Sequence, residues 1–188
     1  MTAIENIKGV ITAPGATFKS IKEGDHKLII PLDIIIGIGI VRGIVDFLQR
    51  PKMLEILSNL GSITEAEGFT SFQEQILSEA AGVQNITIFD AVSSGVISAI
   101  FGWLFLVMVY FIISRILSGS ASLKDLLEVT GYARVPELLG TILALFLASL
   151  NPFFILFLML IFTLWARVLD IFAIKEANDF TMGRPWPQ

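Results

Sequence analysis

The sequence has no cysteine and one histidine, His26. Without cysteine there can be no disulfide, thiolate metal site or cysteine nucleophile, and the redox compartment is left open. A lone histidine cannot build an imidazole metal cluster, so no metal or other cofactor is expected. Charge is also scarce: 16% of residues are Asp, Glu, Lys or Arg, where soluble domains carry roughly 25%. The formal net charge of −4 offers no basic footprint, and nucleic acid is not expected as a partner. The first 27 residues lack a continuous apolar segment ahead of a small-residue cleavage site, so the first hydrophobic run is expected to be retained as an anchor. Gly-rich phosphate loops, an HExxH helix and a GxSxG elbow are all missing, and no enzymatic activity is expected.

What the chain has is apolar sequence: 54% of its residues are hydrophobic and the mean hydropathy is +0.77. After Glu137 no charge recurs until Arg167, and only Asn151-Pro152 interrupts the run. Two helices joined by a tight turn in a bilayer account for such a stretch. The expected fold class is all-α, an integral membrane helical bundle with four transmembrane helices and short amphipathic helices. The expected spans are 28–48, 91–117, 135–150 and 153–174. Around them lie a juxtamembrane lead at 1–27, an acidic loop at 49–90 and a tail at 175–188. The third segment has 16 residues and reaches about 24 Å, short of a hydrocarbon core of about 30 Å. It either extends back through Tyr132 or forms a re-entrant hairpin with the fourth.

In the lead, Ile4, Ile7, Val10 and Ile11 recur at helical spacing, and Pro14-Gly15 breaks the pattern before Phe18 and Ile21 resume it. Such a helix lies in the membrane interface or packs on the protein's own spans. In the loop, Leu54, Ile56 and Leu57 suggest one short helix, and residues 71–81 suggest another. The loop carboxylates do not follow an EF-hand spacing and read as a solvated acidic face. Ser122 and Asp125 form a capping-box pattern ahead of Leu123, Leu126 and Leu127.

Small residues mark candidate helix contacts. Gly39 and Gly43 are four apart with Gly37 nearby, and Ser94, Ser98 and Gly102 repeat every four residues beside a second line, Ala91, Gly95 and Ala99. Small side chains let helix backbones meet in a membrane, within one subunit or between two. Ionisable residues in or near the spans mark a candidate intramembrane polar site: Asp33, Arg42, Asp46, Glu137, Arg167 and Asp170. Arg42 and Asp46 share a helix face and read either as part of an ion or proton relay or as a structural ion pair.

With four spans and both termini on one side, that side holds Lys8, Lys19, Lys22, Lys27, Arg115, Lys124, Arg134, Lys175 and Arg184, and the other holds Arg50 and Lys52. Nine against two places both termini in the cytoplasm and the acidic loop outside.

Several local features resemble the Ypt-interacting protein (Yip) family of polytopic membrane proteins. They are the Pro14…Phe18…Ile21 lead, the capped segment running into Gly131-Tyr132-Ala133-Arg134-Val135-Pro136, the short hairpin, and Leu164-Trp165 followed by Lys175-Glu176 and the exit DFTMGR. In the resemblance, Tyr132 and Pro136 are the signature leading into the third span, with a structural role. It also implies a fifth span after the exit, whereas this sequence stops at Gln188, as a shortened member or a truncated chain would. The family offers no catalytic motif to carry over, and its eukaryotic members are associated with vesicle traffic. The resemblance therefore implies a scaffold or partner-binding protein of the bilayer, working with a membrane-protein partner or as a homo-oligomer. The alternative is a small-solute or ion permease or channel subunit that uses the ionisable residues of the spans.

Overall fold

The computed structural model describes residues 2–24, 27–61 and 86–180. Among the described residues there are seven helices and no strand: α1 (Ala3–Thr12), α2 (Pro14–Glu23), α3 (Ile29–Gly61), α4 (Ile88–Ile116), α5 (Leu123–Ala133), α6 (Val135–Phe146) and α7 (Pro152–Ala177). The all-α class is as expected. The loop helix expected at Leu54–Leu57 is the continuation of α3, which runs on through Pro51. The one expected at 71–81 lies outside the described residues.

Local chemistry sets the helix starts. Capping boxes open α1 (Thr2 with Glu5), α4 (Thr87 with Asp90) and α5 (Ser122 with Asp125), so two orphan N–H groups at each start are satisfied. Pro14 and Pro152 stand in the first turns of α2 and α7, where a missing N–H costs nothing. The ends of α4 and α7 share one device. Ser118 and Asp179 take positive φ, 59° and 54°. Gly119 N–H then reaches Ser114 O, and Phe180 N–H reaches Lys175 O. These are Schellman turns with a polar residue in the left-handed position usually given to glycine.

Side-chain contacts fix the direction in which the long helices run. Lys27 N–H meets Glu128, Arg42 meets Glu137 and Gln49 meets Ala148, at separations of 101, 95 and 99 residues. α3 therefore runs parallel to α5 and α6 along the whole of both. α7 runs antiparallel to them, with Asn178 at Ala121, Asp170 at Arg134 and Phe162 at Gly140. Residues 123–146 thus form one bent rod, about 36 Å long. The bend falls at Arg134, because Pro136 has no N–H for the Tyr132 carbonyl and Arg134 N–H turns back to Gly131 O. α6 alone would reach only about 18 Å, and α5 supplies the rest.

α4 and α7 are long and apolar enough to cross a membrane, and only 11% and 22% of their most apolar windows are buried. They are therefore not the core helices of a soluble protein. Phe89, Phe101, Phe105, Phe153, Phe157 and Leu164 stand exposed along them, a surface suited to lipid and not to water. The chain is a membrane protein.

α1 and α2 fold back onto the bundle, burying Val10, Phe18 and Ile21 in the same core as Leu126, Tyr132 and Leu169. Of the two readings of the lead, packing on the protein's own helices is the one seen. Lys22 Nζ bonds Asp179 at 2.6 Å and ties α2 to the end of α7. The Lys22 ammonium, chiefly through that hydrogen bond, holds the Asp179 carboxyl below the usual carboxylate range. A depressed folded-state value means the contribution is complete above the unfolded aspartate value, near 3.9, and disappears as pH falls through the folded value. Acidification below about pH 4 is expected to loosen α2, by no more than about 1 kcal/mol at so exposed a pair. Hydrogen exchange of α2 amides against pH would show it, and Asp179→Asn should abolish the pH dependence.

Candidate functional site

The ionisable residues meet halfway along the bent rod. Arg134, at the joint of α5 and α6, is 3% exposed, and its Nη2 donates to Asp170 Oδ2 of α7. Asp170 Oδ2 also accepts from Arg167 Nη1 at 3.2 Å and from Tyr110 Oη of α4 at 2.9 Å. On the other side, Glu137 Oε1 accepts from Arg42 Nη2 of α3 at 3.2 Å, and its Oε2 lies 3.6 Å from Arg134 Nη1. One continuous network therefore joins α3, α4, the rod and α7. Arg134 is about 17 Å from either end of its rod, while Tyr110 and Asp170 stand six and seven residues from the ends of α4 and α7, so the network lies toward one end of those two helices.

Four of the six candidate polar residues, Arg42, Glu137, Arg167 and Asp170, are brought together, while Asp33 and Asp46 are exposed and outside the network. Two members were missed as site residues. Arg134 was assigned to the polar side of the third span because the uncharged run starts beyond it. Tyr110 is uncharged and carries no sequence signal of its own. The usable signal was the Arg134–Glu137 spacing of three residues, which puts both on one helix face.

A cavity of about 120 Å³ opens beside the network. Its walls include Arg42, Arg134, Glu137, Arg167, Ser98 and Gly102. Arg134 Nε and Nη1 and Asp170 Oδ1 lack hydrogen-bond partners among the described residues, although they are buried. Among the described residues no group of three His, Cys, Asp or Glu side chains is placed to hold a metal.

The glycines of α3 make the closest helix approach. A Cβ on Gly39 would lie 2.5 Å from Val96 Cα, and one on Gly43 would lie 2.5 Å from Ala91 O. A Cβ on Gly37 would touch Leu138 of α6 at 3.4 Å. Of the two small-residue lines on α4, the one facing α3 is Ala91 and Gly95, and Ser94, Ser98 and Gly102 lie off that contact. Those three are exposed, and a Cβ on Gly102 would meet nothing within 4 Å. The two lines are one residue apart, so a helix rotation of about 100° separates them.

Tyr132 and Pro136, the lead-in signature, are both buried at the bend. Gly131 packs so closely on Pro31 that a Cβ there would lie 3.0 Å from Pro31 Cα. The Yip1 domain model matches residues 8–186. The chain belongs to the Yip1 domain family. This match takes in every helix of the Yip1 domain described above except the first turn of α1. No curated protein and no solved structure matches the chain. The bent rod of the Yip1 domain carries Tyr132, Arg134 and Pro136 within five residues of sequence. The segment that identified the family is thus also the one that places the central arginine.

Proposed function

We propose that this Yip1-domain protein is a four-pass membrane scaffold that works by binding partners and catalyses no reaction. In this reading α3 and the bent rod cross the bilayer together with α4 and α7, and both termini face the cytoplasm. The supporting charge pattern changes slightly once Arg134 is placed inside the rod: eight basic residues on one side against Arg50 and Lys52 on the other.

The observation that carries the reading is that the central ionisable groups are spent on one another. Asp170 takes three donors and Glu137 faces two arginines, and the groups come from four different rods. Such a network fixes how the helices sit together, and among the described residues it leaves no ladder of proton-accepting groups from one end of the bundle to the other. Asp33 and Asp46, which a relay would need, stand apart from it. The protein purified in gentle detergent is expected to carry a second, reproducible membrane protein in native mass spectrometry, and to show no solute or ion flux when reconstituted alone in liposomes. Flux by the chain alone, abolished by Asp33→Asn or Asp46→Asn, would replace the scaffold by the permease.

A further inference from the structure

We infer that the slot between α3 and the start of α7 binds one zwitterionic lipid headgroup, a phosphoethanolamine. The inference rests on the four-pass reading, which brings this end of the bundle to the outer surface of the bilayer. Val45 of α3, Ala144 of α6 and Ile155 of α7 form a small core of their own. Beside it, between α3 and α7, lies a cavity of about 490 Å³. Small-molecule sites occupy roughly 300–1,000 Å³, so the slot has room for a headgroup and the tops of its chains. Its two walls differ in kind. Ile155, Leu156 and Met159 make the α7 wall, which is apolar. Arg42, Asp46 and Arg50 stand on the α3 wall, four residues apart and so on one helix face. Asp46 interacts electrostatically with both arginines, and Arg42 also bonds Glu137 at 3.2 Å. The wall is therefore a row of alternating sign and not a one-signed patch.

The slot lies at headgroup depth and is open. Val45 packs with Ile155, three residues from the start of α7, so Asp46 stands about 5 Å inside that end. Arg50 is one turn nearer the end, next to Gln49, which reaches the Ala148 carbonyl beyond α6. Asp46 is exposed, and Leu156 opposite is 55% exposed. Neither water nor hydrocarbon suits both walls. Water leaves the α7 wall wet, and an acyl chain laid across the slot desolvates the Asp46 carboxylate. A phospholipid headgroup with its chains running down past Leu156 meets both. The phosphate takes N–H groups from Arg50, and the ammonium, two carbons away, donates to Asp46. Arg50 has another interaction within the chain, and a guanidinium with five N–H donors holds more than one partner. Ethanolamine is selected over choline because a trimethylammonium group has no N–H for the carboxylate. An anionic headgroup brings phosphate but no cation for Asp46.

The test offers the slot three headgroups on identical chains. The protein in neutral detergent, stripped of lipid, is mixed with phosphatidylethanolamine, phosphatidylcholine or phosphatidylglycerol at equal concentration, and native mass spectrometry counts the lipid retained. Saturable retention of one phosphatidylethanolamine, preferred about tenfold or more over the other two, is expected. Asp46→Asn should cut that preference to about twofold or less, whereas Asp46→Glu, which keeps the carboxylate, should retain it. Leu156→Trp, which crowds the apolar wall, should weaken phosphatidylethanolamine retention by about tenfold with every charge in place. Equal retention of the three lipids, or none, would overturn the inference and leave the slot to annular lipid, another segment of the chain or a second copy. A preference for phosphatidylglycerol would overturn it too, as would a preference for phosphatidylethanolamine that Asp46→Asn leaves intact. The topology is checked separately, by labelling single cysteines at Ser122 and Ser149 from either side of sealed vesicles, so failure of the site and failure of the four-pass reading remain distinguishable.

Discussion

Gly95→Leu is expected to be the most damaging single substitution in the described part of the chain. At this point α3 and α4 meet backbone to backbone. A Cβ on Gly95 would collide with Gly39 O and lie 3.1 Å from Gly43 N. Neither obstacle is the end of a flexible side chain, so relief requires the helices to separate along their whole contact. Overpacking a tight core costs about 1–3 kcal/mol when side chains can yield. Here they cannot, and a loss of about 3 kcal/mol or more is expected. Gly102→Ala, two turns further along α4, is the control. Its Cβ enters open space, and alanine is the better helix former by up to about 1 kcal/mol. Melting of helical circular dichroism in a mild detergent should show a large downward shift for the first variant and no loss for the second. Equal behaviour of the two would mean that α3 and α4 do not meet at Gly95.

The second large effect is expected at Asp170. Asp170→Ala removes the carboxylate that takes donors from Arg134, Arg167 and Tyr110, and leaves a 3%-exposed arginine with Glu137 as its remaining partner. Breaking a buried pair from one side typically costs about 3–5 kcal/mol, because the abandoned charge stays buried. Removing both members is far milder, so Asp170→Leu combined with Arg134→Met should recover about half or more of that loss. A double variant as unstable as the sum of the two singles would show that the residues act independently, contrary to the network described above. Asp179→Ala, at an exposed pair, should cost no more than about 1 kcal/mol.

Both substitutions mark where sequence reading succeeds and where it stops. That Gly39 and Gly43 touch another helix follows from their spacing, since two glycines four apart make a groove. Which line of α4 enters that groove does not follow. Ala91–Gly95–Ala99 and Ser94–Ser98–Gly102 have the same period, and only the rotation of the helix, set by all its other contacts, chooses between them. The long apolar runs of α4 and α7 were legible because nothing but a membrane suits them. The rod was not, because the charges at its joint concealed it. Arg134 and Glu137 looked like the polar boundary of a short helix, when they stand at the joint of two helices laid end to end. Capping signals such as Ser122 with Asp125 could be read from sequence because a cap is local, whereas the meeting of Asp170 with Arg134 joins positions 36 residues apart.

The parallel pairing of α3 with the bent rod limits how such a chain can change in length. Each residue added to a helix turns everything beyond it by about 100° and advances it by about 1.5 Å. One residue inserted between Gly39 and Gln49 would therefore swing Gln49 away from the Ala148 carbonyl that it reaches at 2.5 Å. Lys52, which now holds the Ala148 and Ser149 carbonyls at 3.2 and 2.5 Å, would turn away with it. A deletion would do the same with the opposite sense. Insertions and deletions within these rods are thus expected to disrupt the packing even where no side chain is chemically special.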